Sequence, residues 1–134
     1  MPFYSSAESL YTVMRTLFEH LRQDASNPVD ALVASRLVVR FDLDEPAASI
    51  TINGRRKPVQ VTYGDCSDRP VLDAQLSADT LHRVLLDEIP LKKAIADRAL
   101  KVRGPVWKTR SMAEILRQGR AYYPQVLRDH HLLD

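Results

Sequence analysis

Residues 72–104 read LDAQLSADTLHRVLLDEIPLKKAIADRALKVRG, and the period of their apolar positions passes from two to about 3.6 and back to two. Leu72, Ala74 and Leu76 alternate with Asp73, Gln75 and Ser77, which is the pattern of a strand with one buried face. Ser77 offers a hydroxyl to cap a helix in which Leu81, Val84 and Leu85 form one stripe, while His82, Arg83, Asp87 and Glu88 lie away from it and read as solvated. Pro90 starts a second short helix, with Leu91, Ala94 and Ile95 opposite Lys92, Lys93 and Asp97. Leu100 and Val102 then mark a brief strand ending at Gly104.

Upstream, Leu37, Val39, Phe41 and Leu43 alternate with Val38, Arg40, Asp42 and Asp44, predicting a strand over residues 36–44 with one buried face. Ile50 and Ile52, the turn signal Asn53-Gly54, and Val59, Val61 and Tyr63 predict a hairpin, so the sheet is expected to be half solvated. Before these strands, Ser5 and Glu8 form a capping box for a helix reaching about Gln23, with Leu10, Met14, Leu17, Phe18 and Leu21 on one face. Asn27-Pro28 opens a short second helix to about Ala34. Downstream, Met112, Ile115 and Leu116 predict one helix, and Tyr122, Tyr123, Val126 and Leu127 a last one, interrupted or begun at Pro124. The fold class is α+β: a five-stranded sheet with helices layered on one face. One domain spans residues 1–134, because Pro and Gly fall at element ends and do not collect into a linker.

The composition, 45% hydrophobic and 27% charged, excludes a disordered or repetitive chain. A net charge of +2 points to no particular charged partner. Met1 to Ala7 lacks a basic stretch followed by an apolar run, no segment approaches the roughly 18 apolar residues of a membrane span, and the last residues, His130 to Asp134, match no peroxisomal or prenylation signal. Cytoplasm is the expected compartment, and the single Cys66 fits a reducing one.

Chemistry-bearing constellations are scarce. Cys66 lies between Asp65 and Asp68, not beside an activating base. No two of His20, His82, His130 and His131 stand four apart on a helix, so no zinc or other metal site is expected. Asp42 and Asp44 share a strand face, where solubility explains them. Phosphate loops and nucleophile elbows are missing from the sequence, so no catalytic residue, cofactor or enzymatic activity is expected. Arg55-Arg56-Lys57, Lys92, Lys93, Lys101, Arg103, Lys108 and Arg110 read as a solvated rim, and strands two and three lack the aromatic pairs of an RNA-binding sheet, so no nucleic-acid partner is expected.

The stretch from Leu72 to Glu88, continuing through Leu91-Lys92-Lys93-Ala94-Ile95 to Leu100-Lys101-Val102-Arg103-Gly104, resembles the sterol carrier protein type 2 family, and the order of elements along the chain agrees. The resemblance implies an apolar tunnel between sheet and helices that accepts a fatty acid, an acyl-CoA, a sterol or another lipid. It implies non-catalytic intracellular carriage, with protein contact through the same fold as the alternative and an enzyme on a lipid-like substrate as the third reading. On this reading Leu81, Leu85, Ile89, Leu91, Ile95 and Val106 line the tunnel together with Trp107, Met112, Ile115, Leu116, Tyr122 and Tyr123, residues that periodicity alone assigns to core. Leu81, Leu85, Ile95, Met112 and Ile115 are expected to face one shared cavity, and Trp107 to border it. Lys108 and Arg110 are the expected headgroup contacts, and a transient contact with a membrane surface is allowed.

Overall fold

A computed structural model describes residues 3–25 and 27–132. Met1, Pro2, Leu133 and Asp134, on which part of the reading of the two termini rests, lie outside the described residues. The chain runs α1 (Ala7–Gln23), α2 (Leu32–Ser35), β1 (Val38–Asp44), β2 (Ala48–Asn53), β3 (Gln60–Tyr63), β4 (Leu72–Ser77), α3 (Ala78–Leu85), α4 (Leu91–Ala96), β5 (Leu100–Arg103), a 3-10 turn (Val106–Lys108) and α5 (Thr109–Asp129).

The five strands form one mixed sheet in the order β3-β2-β1-β4-β5. β1 is central and pairs parallel with β4, Phe41 opposite Ala74, whereas the other three ladders are antiparallel. Its alternation is the predicted one: Val39, Phe41 and Leu43 are buried on the helix side, although Val38 is buried too. α1, α3 and α5 close that side with Leu10, Met14, Leu17, Leu21, Leu81, Leu85, Ile115 and Leu127, giving one contiguous core.

The opposite face is less solvated than its polar residues suggest. A parallel β1–β4 pair needs a crossover, and its last part, Gly64 to Val71, runs back over this face. The Arg40 guanidinium donates to the carbonyls of Cys66 (3.1 Å) and Asp68, and Asn53 Nδ2 donates to Asp68 Oδ2 at 2.9 Å. Thr51 and Asn53 are consequently buried beneath the loop.

Several boundaries differ from the periodic reading. Ser6, not Ser5, caps α1, its Oγ accepting from the Ser9 amide. Asn27 caps only a turn, accepting from the Asp30 amide, and helix proper begins at Leu32. Downstream there is a single helix: α5 continues through Pro124 because Tyr123, Val126 and Leu127, beyond and beside the break, are buried in the same core as Met112 and Ile115. One missing hydrogen bond is outweighed by that burial. At the end of β5, Gly104 has φ +126, and a Cβ there would lie 2.3 Å from the Val71 carbonyl oxygen. Glycine is required, and with Pro105 it turns the chain outward from the sheet.

Candidate functional site: an apolar interior between three helices and the sheet

Where the helix layer meets the sheet, Met14, Leu17, Phe18 and Leu21 of α1 face Leu81 and Leu85 of α3 and Ile115 and Leu116 of α5. Phe41 of β1 and Ile50 of β2 form the floor. The spacings 14, 17, 18, 21 and 81, 85 are single helical stripes, so each helix contributes a continuous apolar ridge. The ridges approach closely because α5 carries Gly119 at the crossing: a Cβ there would lie 3.1 Å from Leu85 Cδ2 and 3.7 Å from Leu17 Cδ2. The cavity between them measures about 20 Å³, room for about one water molecule, and with no polar group in its wall such a space stays dry.

Of the residues expected to line a tunnel, Leu81, Leu85, Ile115 and Leu116 are brought together here. Met112 is fully buried one turn along α5, outside the cavity wall. Ile89 and Leu91 pack half-buried against the rim of the core. Three expectations of position are corrected. Ile95 is 44% exposed because the short α4 buries only Ala94. Val106 and Trp107 are 80% and 78% exposed because the outward turn at Gly104-Pro105 carries the 3-10 segment off the protein surface, and burial resumes only at Met112. Trp107 therefore neither borders the interior nor pins α5 to the sheet. Lys108 is half-buried and Arg110 exposed at the start of α5, away from the cavity. The C-terminal stripes supply only part of this wall; α1, Phe41 and Ile50 supply the rest, and the stripe on α1 is its signal in the sequence.

Tyr122 and Tyr123 are adjacent but separate in role. Tyr122 is half-buried, its hydroxyl donating to Asp24 Oδ2. Tyr123 is fully buried in a polar chain: its hydroxyl lies 2.5 Å from that of Tyr4 and 2.6 Å from His82 Nδ1. Phe3 stacks on the His82 ring at 3.7 Å, and the Phe3 amide donates to Asp79 Oδ1 at 2.9 Å, so the N-terminal segment is strapped across α3 and α5. His82 is thus half-buried, not solvated as its place off the apolar stripe suggested. Burial pushes the Tyr4 and Tyr123 hydroxyls above, and the His82 imidazole below, their ordinary ranges. All three are held neutral. The Tyr123 hydroxyl thus shares one hydrogen bond with the Tyr4 hydroxyl and one with His82 Nδ1.

On the far face of the sheet the carboxylate neighbour of Asp42 is Asp73 on β4, not Asp44. Burial and then the Asp42 charge raise Asp73 above the usual carboxylate range, and its Oδ1 is buried with no hydrogen-bond partner. A folded-state carboxyl raised in this way costs stability once pH exceeds its unfolded value of 3.8. Asp73→Asn is therefore expected to stabilise the protein at neutral pH by about 0.5–1.5 kcal/mol, since an amide donates to Asp42 without charge. Urea midpoints at pH 7 check this; a midpoint equal to or below the parent's rejects it. Cys66 is half-exposed in the crossover loop. Among the described residues no group of three His, Cys, Asp or Glu side chains is placed to hold a metal ion, and no helix is long and apolar enough to cross a membrane.

Comparison with solved structures decides the fold. The sterol carrier protein 2 domain of Helicoverpa armigera superposes with a TM-score of 0.67 at 18% identity, covering 84% of this chain and 88% of that one. The fold is that of the sterol carrier protein 2 domain. UbiJ-SCP2, a ubiquinone synthesis protein, shares the sterol carrier protein 2 fold at a TM-score of 0.56 and 16% identity over 78% of this chain and 90% of its own. A palmitated sterol carrier protein 2-like 2 from Aedes aegypti shares it at 0.51 and 11% identity over 66% and 86%. No protein-family model matches the sequence, and no curated protein matches it.

Proposed function

We propose that this protein binds one apolar lipid, a fatty acid, acyl-CoA or sterol-like molecule, between α1, α3, α5 and the sheet, and carries it without chemistry of its own. The observation that carries this reading is the dry interior walled by ten apolar side chains from three helices and two strands. The sterol carrier protein 2 fold supports it, as does the palmitated Aedes aegypti protein of that fold. Ligand sites usually enclose about 300–1,000 Å³, so α1, α3 and α5 must part on loading. A 16-carbon chain gains roughly 13 kcal/mol gross by burial, against about 4–15 kcal/mol for association; repacking of the helices decides the net affinity. The polar chain of Tyr4, Tyr123 and His82 lies outside the wall of this interior, so none of these groups faces a lipid bound there.

Native mass spectrometry of the purified chain, then of delipidated protein titrated with palmitate, tests the proposal. One lipid mass per chain and a raised melting temperature are expected, unchanged in Cys66→Ser. Delipidated protein that takes up no fatty acid, acyl-CoA or sterol overturns it. The tightness of the interior favours one second reading, an accessory domain that uses this fold for protein contacts; it predicts no lipid mass and a stable complex with another protein.

A further inference from the structure

The strand order sorts charge to the two ends of the sheet. At one end lie the starts of β1, β3 and β4 and the ends of β2 and β5, as Val38↔Asn53, Asn53↔Gln60 and Asp73↔Arg103 pair and the Val71 amide donates to the Val38 carbonyl. The loops there carry Arg36, Arg55, Arg56, Lys57, Arg69, Arg103, Lys108 and Arg110. All but the half-buried Lys108 are exposed, and none closes an ion pair among the described residues. Of the acids at this end, Asp30 pairs with Arg22, Glu114 with Arg117, Asp68 accepts from Asn53, and the half-buried Asp73 lies opposite Arg103. The other end carries exposed Asp44, Glu45, Asp65 and Asp97, with Lys93, Arg98 and Lys101 as its cations and Lys93 paired with Asp97. A net charge of only +2 conceals this polarity.

The basic end also carries Val106 and Trp107, adjacent and about four-fifths exposed. Side by side, the two form a contiguous exposed apolar patch rimmed by polar residues, the arrangement of an interaction surface. Indole flanked by Lys and Arg suits the boundary between lipid headgroups and acyl chains, where an apolar body and a polar tip are both satisfied. Unpaired cations arrayed around it complement anionic headgroups.

We propose that this end of the domain, with Val106 and Trp107 inserted and the surrounding Arg and Lys against headgroups, docks on an anionic lipid bilayer. The surface is separate from the apolar interior and does not depend on it. Trp107 is the only tryptophan, so its emission reports insertion directly. With vesicles of phosphatidylcholine and phosphatidylglycerol its emission should shift blue and the protein should co-sediment; with phosphatidylcholine alone neither should occur, and added salt should reverse both. Lys108→Ala and Arg110→Ala should each weaken partitioning about fivefold, and Arg55→Ala likewise, as expected for single cations near a charged surface. Val106→Ser with Trp107→Ala should abolish co-sedimentation while leaving the urea midpoint and the palmitate mass unchanged, which separates failure of this proposal from failure of the interior site. An unmoved Trp107 spectrum on anionic vesicles, equal binding to neutral ones, or undiminished sedimentation of the double variant overturns the proposal. So does a polynucleotide that shifts Trp107 and strips the protein from vesicles, which would assign the surface to nucleic acid.

Discussion

Leu85→Ala is expected to lower stability by about 2–5 kcal/mol and to create a binding site in the same stroke. Leu85 is 2% exposed, forms part of the cavity wall, and packs where α3 meets Gly119 of α5. Its removal costs the transfer energy of the lost methyl groups and enlarges a void that already exists. The enlarged space is apolar and should admit a small hydrophobic molecule. Ligand at about 100 times its Kd returns about 2.7 kcal/mol, so urea midpoints of Leu85→Ala should recover with added decanoate by more than those of the parent. A loss below about 1 kcal/mol would mean that the helices collapse into the gap, and would remove the argument that the interior is held open by packing.

Tyr123→Phe should cost about 2–4 kcal/mol, although only one oxygen is lost, because Tyr4 Oη and His82 Nδ1 both lose their partner in a buried place. The polar chain also sets a pH window. His82 has its folded pKa below the unfolded 6.5, so unfolded chains bind more protons and its contribution declines as pH falls through about 6.5. The two buried tyrosines, and Tyr63, pushed up to about 12 by burial, act in the opposite sense. They keep protons that unfolded chains lose above 10, so stability declines as pH rises past 10. Chemical denaturation across pH should show a plateau between these limbs, and His82→Gln should flatten the upper part of the acid limb. An acid limb unaltered by His82→Gln would show that the carboxylates alone produce it.

Periodicity disclosed which face of each element is buried, and nearly all of the strands and α3 could be read from it. Leu72, Ala74 and Leu76 alternate, and Ser77 caps by accepting from the Thr80 amide. What a face is buried against is a long-range property. The stripe Met14, Leu17, Phe18 and Leu21 announces a core-facing helix without naming Leu85 or Ile115 as its partners. The position of Trp107 is not local either. Its size predicts burial, but the backbone at Gly104-Pro105 determines which way the chain leaves the sheet. The last helix does not split at Pro124 because the burial of Tyr123, Val126 and Leu127 outweighs a local penalty of one hydrogen bond. Asp73 escaped notice because its neighbour Asp42 is 31 positions away in sequence, brought beside it by the parallel ladder.

At Pro124, α5 has the mechanics of a rod pinned at its joint. Proline supplies no amide to the carbonyl of Arg120, so the last full turn before it lacks one of the ties that stiffen a helix. Within that same turn Tyr123 is moored to Tyr4 and His82, while Arg120 donates to the Val84 carbonyl of α3 and pairs with Asp87. Further back along α5, Ile115 and Leu116 rest on the cavity through apolar contact. The tie that proline removes from the backbone is thus replaced by side-chain anchors in the same turn, so α5 is fixed there by its neighbours and not by its own hydrogen-bond ladder.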